Sequence, residues 1–209
     1  MSEITKREQM IFDISQLEWE MFQHVYNTGG RASCQDDPDT FFRMRMSQWL
    51  AYSDQLLESY LEDCKTALSE GRNFYFEKYT RMMETTYPEE YEKVKQYLPD
   101  IPADTRELVE KIVAVHRKWD EQVMRDYPNI RSQGRVLHTA EDNAASGSST
   151  ESYLRAELLT YSPKTLALVW EETEAAEEAS GNLVRDIIAN ETKFYGYASL
   201  EEAEQKHQK

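Results

Sequence analysis

Glycine and proline are scarce in this chain, with 7 glycines and 6 prolines among 209 residues. Most of them stand at the edges of patterned segments that are rich in Glu, Leu, Ala, Met and Lys. Those residues favour helices, and the breakers mark where helices end. The sequence therefore predicts an all-α fold, with residues 1–209 forming a single-domain helical bundle of about six to eight helices.

The predicted helices begin and end at recognisable signals. Asp37 followed by Pro38 is a helix cap with a proline in the first turn, and glycines end other helical patterns. Residues 129–148 are long for a connection in a compact bundle and are expected to form either a disordered loop or a lid. Residues 198–209 are expected to be an acidic C-terminal tail. The helices are expected at about 3–26, 38–70, 73–86, just after residue 88, 104–127, 149–180 with an interruption at 162–163, and 182–195.

The chain is strongly acidic, with a formal net charge of -15. Such a charge repels polyphosphate backbones and anionic bilayers, so neither a nucleic acid nor a membrane is an expected partner. No apolar run approaches the roughly 20 residues that a membrane span requires. Two cysteines, Cys34 and Cys64, and the lack of a cationic and apolar leader after Met1 predict a cytoplasmic protein.

Several predicted helices carry an ionisable residue on an otherwise apolar face. Glu18, for example, has Ile14 and Met21 as neighbours at helical spacing. Burying a lone ionised carboxylate costs several kcal/mol, so such a residue needs a cation, a metal, a hydroxyl or a proton. The residues expected to point inward are Glu18, His116, Glu157 and Glu191.

Three interpretations fit these inward residues. They could form structural ion pairs, or they could line an internal pocket in which raised carboxylate pKa values suit proton transfer. They could also hold one metal ion, although the Glu-x-x-His spacing typical of di-iron bundles is absent. The metal ligands would be Glu18, His116, Glu157 and Glu191, and the cations available for ion pairs are Arg31, Arg45, Lys78 and Arg155.

A dense polar block, Gly29 to Pro38, separates the first two predicted helices. Cys34 in this block is either a nucleophile with a thiolate favoured by Arg31 or a small packing residue. Cys64 lies on an apolar stripe and is expected in the core. Since the block holds many donors and acceptors, we expect it to pack against the helix that begins near residue 149. That contact would bring Arg31 and Cys34 close to Arg155 and Glu157.

Four stretches together resemble a bacterial family known only as domain of unknown function DUF4125. The likeness covers most of the chain, and it includes Ala156 at a position where family members often have glycine. The resemblance implies an intracellular bacterial protein and supplies no reaction, cofactor or catalytic residue. The stretches are Leu17-Glu18-Trp19-Glu20-Met21-Phe22, the block from Gly29 to Asp37, Arg81-Met82-Met83-Glu84, and Tyr153-Leu154-Arg155-x-Glu157-Leu158-x-Thr160-Tyr161-Ser162.

The leading functional hypothesis is a small-molecule enzyme with an internal polar pocket, acting by proton transfer on an anionic or amino-acid-like substrate. One alternative is a non-catalytic helical interaction protein whose buried charges fix helix register, and another is a carboxylate and histidine metal-binding bundle. The sequence leaves the identity of any cofactor unknown, and it is compatible with a homodimer. The catalytic candidates are Glu18, Cys34 and Glu157, and the substrate-binding candidates are Arg31, Gln35, Asp36, Arg155 and Tyr161.

Overall fold

The computed structural model describes residues 4–26 and 30–208, so the predicted helix start at residue 3 and Gly29 of the polar block lie outside it. Within these ranges the fold is all-α, as predicted, and contains no β-strand. None of the helices described is long and apolar enough to cross a bilayer. The helices are α1 (Lys6–Gln23), α2 (Pro38–Trp49), α3 (Asp54–Ser69), α4 (Phe74–Thr86), α5 (Pro88–Val94), α6 (Ala103–Asp126), α7 (Pro128–Arg131), α8 (Thr150–Leu158), α9 (Pro163–Glu178), α10 (Leu183–Phe194) and α11 (Leu200–Lys206).

The described residues form 11 helices, so the predicted count of six to eight is too low. One reason is that the helix predicted at 38–70 is two helices, α2 and α3, which are separated by a short turn. Ser53 caps the second helix, because its Oγ accepts a hydrogen bond from the Leu56 N–H at 3.2 Å. The Ser53 N–H also donates to Glu172 of α9 at 3.1 Å. This break depends on a distant residue and on a serine cap, without a glycine or proline to mark it.

Proline at the first turn correctly predicted two helix starts. α2 begins at Pro38, where Asp37 Oδ1 accepts a hydrogen bond from the Thr40 N–H at 3.1 Å. α9 begins at Pro163, where Ser162 Oγ accepts one from the Thr165 N–H at 3.2 Å. In both cases the capping side chain satisfies a donor of the first turn that has no partner within the helix.

The core lies between two groups of helices. α1 packs against α2, α3 and α4, while α6 packs against α8, α9 and α10, and contacts of α3 with α9 and of α4 with α8 join the groups. Cys64 is fully buried, as predicted, whereas Cys34 is exposed, and both are free thiols. The largest fully buried apolar side chains are Ile11, Ile14, Met21, Trp49, Leu56, Leu57, Tyr60, Ile112, Leu158 and Leu166.

The segment 129–148, expected as a disordered loop or a lid, contains the end of α7 and a 3₁₀ helix at Thr139–Glu141. Arg131 of α7 forms a buried ion pair with Asp120 of α6, with Nη2 and Oδ2 2.8 Å apart. Asp142 accepts hydrogen bonds from Thr85 Oγ1 at 2.6 Å and from the Ser149 N–H at 2.6 Å. Hydrogen bonds and an ion pair therefore connect the segment to α4, α6 and the start of α8.

The acidic stretch at 198–209, expected as a tail, contains the short helix α11. Glu204 of α11 accepts hydrogen bonds from the backbone N–H groups of Asn129 and Ile130, each at 2.9 Å. These two donors belong to the first turn of α7, where helical N–H groups lack partners within the helix. Glu204 of α11 therefore caps the N-terminus of α7.

Substituting Arg131 with alanine should lower the free energy of unfolding by about 3 kcal/mol, because Asp120 would be left buried without its cation. Urea denaturation followed by circular dichroism measures this change. The matched control is Arg125→Ala, since Arg125 is exposed on the same helix as Asp120. A loss for Arg131→Ala no larger than that of the control would contradict the role assigned to this pair.

Candidate functional site

Four charged side chains from four helices meet in the core: Glu18 of α1, Arg45 of α2, Lys78 of α4 and Glu157 of α8. Their exposed fractions are 1%, 5%, 2% and 3%, so each is removed from solvent. We call these four residues the core ion network. Two anions meet two cations, and their formal charges cancel.

Glu18 receives hydrogen bonds on both carboxylate oxygens. Arg45 donates from Nε to Oε2 at 2.8 Å and from Nη2 to Oε1. Trp49 Nε1 donates to Oε2 at 3.1 Å, and the Tyr60 hydroxyl donates to Oε1 at 3.0 Å. A carboxylate offers about four lone-pair sites, so four donors fill its accepting capacity.

Glu157 is held by a second set of donors. Arg45 Nη1 lies 3.2 Å from Oε2, and Lys78 Nζ donates to the same oxygen at 3.0 Å. Gln48 Nε2 donates to Oε1 at 2.7 Å, and the Tyr161 hydroxyl donates to it at 3.1 Å. Arg45 therefore bridges both buried glutamates, and the second carboxylate is also saturated with donors.

The network shifts the pKa values of Glu157 and Lys78 away from neutrality. Burial raises the pKa of the Glu157 carboxyl, but Arg45 and then Lys78 more than reverse this, and the pKa lies well below its usual range. Burial lowers the pKa of the Lys78 ammonium, yet the Glu157 carboxylate outweighs it and the pKa is raised. Both groups are therefore charged across the physiological pH range.

Three tyrosine rings surround the Lys78 ammonium. Nζ lies 4.0 Å from the ring centroid of Tyr75, 4.3 Å from that of Tyr153 and 5.6 Å from that of Tyr79. It also donates a hydrogen bond to the Tyr153 hydroxyl at 2.8 Å. Aromatic faces attract a desolvated cation, which adds to the ion pair with Glu157. Among the described residues, the buried Tyr75 hydroxyl has no hydrogen-bond partner.

Over residues 30–38, the polar block donates hydrogen bonds to backbone oxygens at the end of α1, and none of its side chains pairs with a buried glutamate. The buried Gln35 amide donates to the backbone oxygens of Phe22 and Val25, at 2.8 and 3.0 Å. Arg31 is exposed and donates to Asp36 and Gln23. Over the described residues, Arg31 therefore does not pair with a buried glutamate as expected, because its donors bind Asp36, Gln23 and the Gln35 backbone oxygen.

Arg155 is likewise directed away from the network. It pairs with Glu110 of α6 and with Glu151 one turn earlier on α8, with shortest N···O distances of 2.6 and 3.2 Å. Within the described chain, no hydrogen bond or ion pair joins residues 30–37 to α8, so Arg31 and Arg155 have separate sets of partners. The expected packing of the block on α8 is not supported by such contacts. Of the substrate-binding candidates, only Tyr161 touches the network.

Cys34 is an exposed free thiol in the 3₁₀ turn before α2. Burial raises the pKa of the Tyr79 hydroxyl to about 12, against the effect of Lys78, and Tyr153 and Cys34 add to the increase. The proposed role of Cys34 as a nucleophile remains a prediction from the sequence.

The four residues considered as metal ligands do not converge. His116 is buried as expected, but it lies between α6 and α9, where Nε2 is 3.3 Å from Thr173 Oγ1. Glu191 of α10 is partly buried. Among the described residues, no group of three His, Cys, Asp or Glu side chains is placed to hold a metal ion. Glu18 and Glu157 instead have cations as partners.

The sequence analysis missed the neutral partners of the network, Gln48, Trp49 and Tyr60, and named Arg45 and Lys78 only as possible counterions. Helical spacing carries a partial signal, since Arg45 lies one turn before Trp49 on the face that enters the core. The choice of Arg45 over Arg31 depends on how helices pack, which spacing along one helix does not report.

Two surface depressions lie outside the network. One of about 510 Å³ is lined on α6 by residues that include Arg106 and Lys111. The other, of about 330 Å³, lies between α10 and α11 and includes Tyr127. Neither contains a residue of the core ion network, so neither connects the buried glutamates to a surface ligand.

A family model described as "Protein of unknown function (DUF4125)" matches residues 8–205, and the chain therefore belongs to this family. The resemblance noted in the sequence is thereby confirmed. No curated protein and no solved structure matches the chain. Since the family description assigns no activity, function has to be argued from geometry.

Replacing Arg45 with methionine should lower the free energy of unfolding by about 3–5 kcal/mol, because two buried carboxylates would lose the cation between them. Chemical denaturation at neutral pH measures the loss. Arg43→Met on the same helix is the control, and it should cost about 1 kcal/mol or less because Arg43 is only partly buried and lies outside the network. Equal losses for the two variants would contradict the bridging role of Arg45.

Stability should also depend on His116 below neutral pH. Burial lowers its pKa to about 4, against an unperturbed value near 6.5. The unfolded chain therefore binds more protons between these values, and stability present above pH 6.5 is lost as the pH falls towards 4. Over that window wild type should lose about 3 kcal/mol more than His116→Gln, as measured by urea unfolding. Identical pH profiles would refute this, and the exposed His24→Gln should behave as wild type.

Proposed function

We propose that this DUF4125 protein is a helical interaction protein, in which the core ion network fixes helix register and a partner protein binds at the surface around α2. The two glutamates that a proton-transfer enzyme would use have their accepting capacity filled by Arg45, by Lys78 and by neutral donors of the core. That saturation is the observation that carries the proposal, and it favours this interpretation over an enzyme acting through the buried glutamates. We further propose the cytoplasmic location that the cysteine usage predicts.

A general base must have a free lone pair facing the proton that it removes. The oxygens of Glu18 and Glu157 already accept hydrogen bonds from donors of α2, α3 and α4, and Arg45 donates to both residues. A substrate proton would have to displace an arginine, a lysine or a tyrosine donor in a buried environment. The pKa of Glu157 is also held far below the pH at which an efficient base works, since Arg45 and Lys78 outweigh burial.

The surface around α2 has the residue types that concentrate binding energy in protein interfaces. Phe42 stacks with the exposed Phe12 of α1 at a ring-centroid distance of 6.1 Å. The Arg43 guanidinium lies 5.1 Å from the ring centroid of Tyr195, which is 46% exposed at the end of α10. Aromatic residues and arginine are enriched among interface hot spots. We call Phe12, Phe42, Arg43 and Tyr195 the α2 surface.

Charge favours an unlike, basic partner over a second copy of the chain. Asp36, Asp37 and Asp39 are exposed beside the start of α2, so the α2 surface has an acidic edge. The chain has a net charge of -15, and two copies would repel each other at low ionic strength. A partner with a positive rim would instead be steered towards this surface.

The proposal is tested by cross-linking the tagged full chain in its source organism, identifying partners by mass spectrometry, and then measuring affinity with the purified partner. The double variant Phe12→Ser and Tyr195→Ser should bind at least tenfold more weakly, because two exposed aromatic anchors are removed. Tyr97→Ser is the matched control, since Tyr97 is 68% exposed and lies outside the α2 surface. It should bind as wild type does.

A second comparison separates the network from the surface. Glu157→Gln, studied at a temperature where circular dichroism shows it folded, should bind the partner with wild-type affinity. The proposal fails if this folded variant loses binding, or if the α2-surface variant retains it. Either result would favour the alternative, an enzyme that acts through the buried glutamates.

A further inference from the structure

Arg81 of α4 is a buried cation with few hydrogen-bond partners. It is 8% exposed, and its Nη2 donates to the Pro99 backbone oxygen at 3.0 Å. Among the described residues its buried Nε has no hydrogen-bond partner. Arg81 opens the stretch Arg81-Met82-Met83-Glu84, which the proposed function leaves unexplained.

The other buried lysine and arginines each contact a carboxylate: Arg45 and Lys78 contact Glu157, and Arg131 contacts Asp120. Over residues 4–26 and 30–208, Arg81 is the one buried lysine or arginine with no carboxylate oxygen within 4.0 Å. A buried charge without a counterion is strongly unfavourable. Such a position is therefore suited to a charged ligand that is not part of the chain.

The groups around Arg81 leave an excess of positive charge. Arg72 holds the buried Glu77 through two hydrogen bonds, at 2.9 and 2.8 Å, so that carboxylate is already engaged. Arg106 of α6 is exposed, and its Nε lies 3.4 Å from the Ile101 backbone oxygen. Burial lowers the pKa of Arg81, Glu77 and Tyr91 oppose this, and Arg106 and Arg72 lower it further.

Arg81 and Arg106 thus face one short turn from two helices. Arg81 donates a hydrogen bond to the backbone oxygen of Pro99, the first residue of the turn. Arg106 donates one to the backbone oxygen of Ile101. Neither guanidinium has an ion pair within the described residues, and Asp100 of the same turn pairs with neither. A shift of this partly exposed turn would free donors of both guanidinium groups towards solvent.

We propose that Arg81, Arg106 and the turn at 99–102 form a binding site for a phosphate-type oxyanion, free or carried by a small molecule. A phosphate bears close to two negative charges and at least three acceptor oxygens, which matches two guanidinium forks from separate helices. A single carboxylate would match only one fork. The site is distinct from the α2 surface, and its test does not depend on the proposed function.

The test is a titration of the full chain with inorganic phosphate at constant ionic strength, followed by calorimetry and by ³¹P line broadening. Wild type should show saturable binding at one site. Arg81→Gln should weaken binding at least tenfold, and Arg106→Gln should weaken it several-fold because one fork remains. Arg125→Gln, which changes an exposed arginine of the same helix as Arg106, should bind as wild type does.

An acetate titration under the same conditions tests the ligand class, and acetate should not saturate the site. The proposal is overturned if wild type binds no phosphate, if Arg81→Gln binds it undiminished, or if acetate binds as tightly as phosphate. Because Arg106 is exposed, Arg106→Gln is expected to fold. If Arg81→Gln does not fold, phosphate binding by Arg106→Gln tests the proposed site. Undiminished phosphate binding by Arg106→Gln would also overturn the proposed site.

Discussion

The Arg45 guanidinium between two buried glutamates is the interaction on which the arrangement of the bundle depends. It binds Glu18 of α1 and Glu157 of α8 at once, and Lys78 brings α4 to the same point. A rotation or slide of any one of these helices would leave a charge in the core without its partner. Apolar side chains tolerate many near-equivalent packings, whereas this network is satisfied in one register.

The inward glutamates could be recognised from the sequence, but their partners could not. Spacing within a helix reports which face a residue shares, so Glu18 and Glu157 were correctly expected in the core. Pairing depends instead on which helices become neighbours. The exposed Arg31 and the buried Arg45 carry the same charge, and only the packing of α2 against α1 distinguishes them.

The same limit explains the error in the helix boundary at Ser53 and the partial exposure of Glu191. Pro38 and Pro163 mark helix starts through local backbone chemistry, which is visible in the sequence. The break at Ser53 depends on Glu172, more than a hundred positions later, and its local signal is a serine cap without a glycine or proline. Glu191 lies on an apolar stripe of α10, but the helix is incompletely covered and the carboxylate stays partly exposed.

Buried charged residues have two different environments in this chain. Where each charge has its counterion, as around Arg45, the interaction is complete without any ligand and contributes to a unique fold. Among the described residues, Arg81 donates only to a backbone carbonyl, and no carboxylate forms an ion pair with it. Sites that bind charged ligands generally carry such local costs, which the rest of the structure must offset. The residues that make this fold possible are therefore different from those best placed to bind a ligand.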